Sequence, residues 1–151
     1  MGKHEDIAAR VAALGGADDS PHHPCYLEYF RLFNAQSYYA AHDILEHVWI
    51  GSRGERHVYY KALIQFAGGF VHLQHHHRDA LHRIHGRRLR PASRLFLRSA
   101  ELLAPFPSAY EGVSVADIRT MALATAEDLV EGGFEKNPWS PERAPRLVLP
   151  A

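Results

Sequence analysis

Apolar residues recur along the chain at the spacing of one helix face, and nowhere do they alternate for long enough to predict a strand. From His4 to Leu14 the stripe is Ile7, Ala8, Val11, Ala12 and Leu14, and Gly15-Gly16 supplies a stop. Ala17 to Pro24 is polar and carries two prolines, so it reads as a connection. After it, Tyr26, Tyr29, Phe30 and Phe33 mark a second helix with an aromatic packing face. Asn34-Ala35-Gln36 is a break, and Ser37 is placed to cap a third helix running to about Ile50. Gly51, Ser52 and Gly54 predict a loop. Val58 through His77 then holds no proline and sets Leu63, Ile64, Ala67, Phe70 and Val71 on adjoining faces, which predicts a long, largely buried fourth helix.

The next segment, Arg78 to Arg90, is interrupted by Gly86, and Pro91 suits only a first helical turn, so a frayed extension should precede a fifth helix from about Pro91 to Leu103. Pro105 and Pro107 end it. Ser114 followed by Asp117 is a capping-box variant that opens a sixth helix through about Val130, closed by Gly132-Gly133. Residues 131–151 carry four prolines and should lie extended over the bundle, anchored by Phe134 and Trp139. The pattern predicts an all-α fold. It is a compact bundle of about six helices forming one domain over 1–151, with its core at about 24–130 and an extended tail at 131–151.

Charge narrows the partners. Lys plus Arg and Asp plus Glu both number 17, so no excess of fixed positive charge favours nucleic acid or an anionic membrane. In the run Arg87, Arg88, Arg90, Arg94, Arg98, positions 87, 90, 94 and 98 follow helical spacing and could make a phosphate-binding stripe, with a solvated helix face as the plainer reading. The 12 histidines make net charge strongly pH-dependent. A single cysteine, Cys25, forms no internal disulfide, and the N-terminal segment lacks the apolar stretch of a signal peptide, which points to a cytoplasmic protein. Cys25 has no identifiable histidine-acid partner and is read as a packed thiol. Neither a glycine-rich phosphate loop nor a Gly-x-Ser-x-Gly elbow is present.

The candidate chemistry lies on helices three and four. His42 and Glu46 are four residues apart and share a helix face, and Trp49 extends that stripe by a turn. Gln65, Gly69, His72 and His76 form a stripe on helix four that could meet it across a close approach at Gly68-Gly69. The string Phe33-Asn34, Tyr38-Tyr39, Ala41-His42-Asp43, Leu45-Glu46 and Trp49, followed by Ala62-Leu63-Ile64-Gln65 and His72, resembles the family known as domain of unknown function 309, over about residues 26–130. In that family a glutamate commonly stands where this chain has Asp43, and a Gly-Asn turn where it has His75-His76-His77. The resemblance implies a compact helical bundle and supplies no activity.

Three readings of His42, Glu46, Trp49, Gln65 and His72 stay open. His42, Glu46 and His72 would make the ligand set of an open zinc or non-haem iron site, suited to a metal-assisted hydrolase or oxidase. The five together would line a polar small-molecule pocket. Alternatively, the chain is a non-catalytic structural or interaction domain whose His/Glu cluster is a buried hydrogen-bond network. The aromatic second helix and the tail leave room for a homodimer contact. The cluster His72, His75, His76, His82 and His85 is a second metal candidate, with a solvated tract as its plainer reading.

Overall fold

In chain order, the computed structural model describes residues 3–14, 21–82 and 87–151. The helices are α1 (Lys3–Leu14), α2 (Pro24–Asn34), α3 (Tyr38–Trp49), α4 (Gly54–Arg78), α5 (Leu89–Leu103) and α6 (Val115–Glu131). A hairpin of two-residue strands, β1 (Ala109–Tyr110) and β2 (Val113–Ser114), precedes α6, and one 3-10 turn spans Pro141–Arg143. The fold is an all-helical bundle. The expected stop at Gly15-Gly16, the break at Gly86 and the ligand candidate His85 lie outside the described residues.

Local sequence explains most of the boundaries. Pro24 opens α2, and the His23 ring caps it by accepting the Cys25 amide on Nδ1 at 3.0 Å. Ser114 caps α6 by accepting the Asp117 amide. Three details differ from the sequence reading. Ser37 sits at the N-cap position of α3, but its side chain makes no capping bond. Gly54 belongs to α4 and not to the loop, because its positive φ of 67° makes the turn into the helix four residues before Val58. The hairpin was not foreseen, since strands of two residues cannot show alternation. Its tight turn holds Glu111 and Gly112 both at positive φ.

Helix α4 packs against both α3 and α5, while α2 lies on α3 and α6 on α5. Stacked and edge-on rings of Tyr29, Phe30, Phe33, Tyr38, Phe66, Phe70 and Phe96 fill the centre. Buried hydroxyls close on the backbone, Tyr29 donating to the Leu63 carbonyl at 2.7 Å and Ser99 to the Ala62 carbonyl at 2.8 Å. The segment after α6 crosses this assembly. Trp139 is buried, and its Nε1–H donates to the Tyr38 hydroxyl at 3.0 Å. Asn34 exchanges two hydrogen bonds with the backbone of buried Leu147, and Phe134 lies under the Arg90 guanidinium.

Candidate functional site

Three polar groups on α3, Asp43, His42 and Glu46, make an ordered chain. Asp43 is 6% exposed, and its Oδ1 lies 3.1 Å from Nδ1 of His42. A carboxylate can only accept, so His42 donates from Nδ1 and carries a lone pair on Nε2 in its neutral form. That Nε2 stands 3.9 Å from Oε2 of Glu46, one turn along the helix. The side chains of His42 and Glu46 are 26% and 44% exposed, so the chain runs outward from the buried Asp43. Tyr39 stacks on the His42 ring at 6.3 Å between centroids and holds its plane. Two acceptors, Nε2 and the Glu46 carboxylate, thus stand on one accessible face, too far apart to bond each other directly.

Trp49 ends this face in a different setting. Its indole stacks on His57 at 4.7 Å, and the Trp49 carbonyl accepts from Ser52 Oγ at 2.7 Å, which fastens the α3–α4 corner. Nδ1 of His57 lies 3.0 Å from Ser52 Oγ and 3.1 Å from the Trp49 carbonyl, so it donates between them. The indole N–H itself is buried with no hydrogen-bond partner among the described residues. Such a group costs roughly 1–3 kcal/mol wherever nothing accepts from it.

On α4, Gly68 lies across from His42. A β-carbon there would stand 4.0 Å from His42 Cδ2 and 3.2 Å from Leu95 Cδ1. Gly69 does not serve the α3 approach expected of the pair, because its missing side chain makes room for the Phe96 ring on α5. Gln65 and His72 are half-buried on the same helix. The metal triad expected of His42, Glu46 and His72 is not assembled. His72 Nδ1 accepts from the Arg88 guanidinium at 3.2 Å, which turns that imidazole to the start of α5. Burial first, then Arg88, His75 and Arg94, push the His72 pKa down to about 4, so it stays neutral. Among the described residues no three His, Cys, Asp or Glu side chains are grouped to hold a metal ion, which applies equally to the histidine tract. His76 instead stands 3.2 Å from the Asn137 side-chain amide, and His77 packs edge-on against Trp139.

A family model described as a domain of unknown function, DUF309, matches residues 26–84, from the start of the aromatic α2 to just beyond α4. Over that segment the chain is similar to the DUF309 family. The DUF309 segment contains every residue of the α3 chain and the α4 stripe, and it stops well short of the 130 expected from the resemblance. No curated protein and no solved structure matches the chain. Two participants escaped sequence reasoning. Asp43 stood out only as a shortened arm, although a polar residue on the core side of an amphipathic helix was the signal that could have found it. Arg88 belongs to a basic run that looked solvated, and only the fold brings it to His72. Of that run, Arg90 covers Phe134 and Arg98 pairs with Glu101. Cys25 is buried, and burial raises its thiol pKa, which makes it a poor nucleophile. Among the described residues no helix is long and apolar enough to cross a membrane.

Proposed function

We propose that the DUF309 segment is a binding module for a small polar molecule that presents a hydrogen-bond donor, such as an amine or hydroxyl, to His42 and Glu46. The observation that carries this reading is the outward chain from buried Asp43. The Asp43 carboxylate sets the His42 tautomer, so that Nε2 and the Glu46 carboxylate offer two acceptors 3.9 Å apart on an accessible face. In this reading Gln65, Trp49 and His72 are further candidate contacts for the bound molecule. A donor bridging the two acceptors would meet one charged and one neutral partner, and hydrogen bonds to a charged group contribute about 1.5–3 kcal/mol. The test is a titration of the full chain with a panel of small amines, diols and sugars, followed by imidazole and amide nitrogen NMR. Saturable shifts at His42 Nε2 and the amides of 42–49, lost in His42→Ala, are expected from at least one member.

The burial of Asp43 also favours a second reading, a non-catalytic structural or interaction domain. Here His42 serves to satisfy a buried carboxylate and fix how α3 sits on α4. Exposed Tyr39 and Ile50 would then rim a contact for a second copy of the chain. A silent ligand panel, combined with His42→Ala lowering the melting temperature, selects this reading over the first. Light scattering decides whether the chain is a homodimer.

A further inference from the structure

A second concavity lies at the α3–α4 corner, where a cavity of about 370 Å³ is lined by residues of α4, the corner loop, the start of α2 and the hairpin. We propose that it binds a small phosphate monoester. The lining is rich in donors and contains no acidic residue. Arg53 and Arg56 bring two guanidinium groups, and Arg56 also reaches the Glu111 carboxylate at 3.0 Å from one nitrogen, which fixes its position at the cavity. His23 contributes a neutral donor. Its Nδ1 lone pair is taken by the Cys25 amide, so Nε2 must carry the hydrogen.

Tyr60 is the decisive group. It is only 4% exposed and lines this cavity, yet its hydroxyl has no hydrogen-bond partner among the described residues. Burial raises its pKa, so the hydroxyl keeps its proton and is a donor. The ring is packed away while the residue lines the cavity, so the hydroxyl is open to a partner that enters there. Ser52, by contrast, is spent on the Trp49 carbonyl and His57 and is left out of the donor set. The first turn of the 25-residue α4 adds amides that no side chain caps, since Arg53 makes no capping bond.

Donors without acceptors select an anion, and two guanidinium groups select a dianion over a monocarboxylate. The volume falls within the roughly 300–1,000 Å³ of small-molecule pockets, so a phosphate group leaves space for an organic body against the apolar Val48. This site stands apart from the His42 and Glu46 face and does not depend on the reading given for it.

The test is an NMR titration of the full chain with phenyl phosphate and with inorganic phosphate at constant ionic strength. Saturable shifts at the amides of 51–56 are expected, with phenyl phosphate the tighter of the two. Arg53→Gln should weaken binding about tenfold, in line with a lost charge-assisted hydrogen bond. Tyr60→Phe should weaken it severalfold with an unchanged melting temperature, whereas Arg94→Gln, on α5, should leave it intact. Shifts that never saturate, a Tyr60→Phe variant that binds as tightly as the native chain, or equal losses in Arg53→Gln and Arg94→Gln would each overturn the site in favour of diffuse attraction to basic surface.

Discussion

Gly68 and Gly69 are neighbours on α4, yet a methyl group added to each would meet different surroundings. At Gly69 it would fall within 2.5–2.8 Å of three carbons of the Phe96 ring, in the closed packing between α4 and α5. At Gly68 it would touch the movable end of Leu95 at 3.2 Å and approach His42 at 4.0 Å, where α4 faces the polar stripe of α3. One flank is close-packed aromatic core with no tolerance for volume. The other keeps half-buried His42, Gln65 and His72 near water. The difference teaches where to look for function on this helix, because only the flank that is not committed to packing has groups left over for another molecule.

The comparison can be broken most severely at its tight end. Gly69→Ala forces the Phe96 ring to move and should destabilise the bundle by about 1–3 kcal/mol. That is a fall of several degrees in the thermal midpoint, which the compensating Phe96→Leu change should partly restore. On the open flank, Asp43→Ala removes the carboxylate that orients His42 and should cost about 1–2 kcal/mol. The side-chain nitrogen spectrum of His42 should then report a mixture of tautomers. A smaller effect is expected from pH. His72 has a folded pKa of about 4 against an ordinary value of 6.5, so between those values the unfolded chain binds a proton that the folded chain does not. Stability should therefore be full above pH 6.5 and fall as pH drops toward 4, with a shallower slope in His72→Gln measured by urea denaturation. The least effect belongs to Gly68→Ala, where better helix propensity opposes mild crowding at Leu95. Its midpoint should stay within about 0.5 kcal/mol of the native value.

The same two flanks explain how much could be read from sequence. Phe30, Phe33, Leu63 and Phe70 announce themselves by helical spacing, so the six helices and the buried centre were legible from periodicity and stop residues. His42 and Glu46 were legible for a similar reason, since four residues on a helix fix a shared face. What joined them was not. The bond from His42 to Asp43 depends on a side-chain torsion, and the diversion of His72 to Arg88 depends on how α5 starts. Tyr60 drew no reading from sequence, because nothing in its spacing separates a hydroxyl beside a cavity from one that closes on a carbonyl, as Tyr29 does. Spacing within helices says nothing of which side chain competes for an imidazole, so the partner of His72 was out of reach.

Asn34 closes one of the long circuits among the described residues. Its side-chain amide gives one hydrogen bond to the Leu147 carbonyl at 2.8 Å and takes one from the Leu147 amide at 2.7 Å, across a separation of 113 residues. A single side chain thereby imitates the edge of a strand and reads backbone in both directions. Closing so large a loop is entropically uphill before it is rewarded, which places this clasp late on the folding route, after the aromatic centre has condensed. The end of α2 is thus finished by a distant stretch of chain, and whatever loosens that stretch will be felt at the threshold of α3.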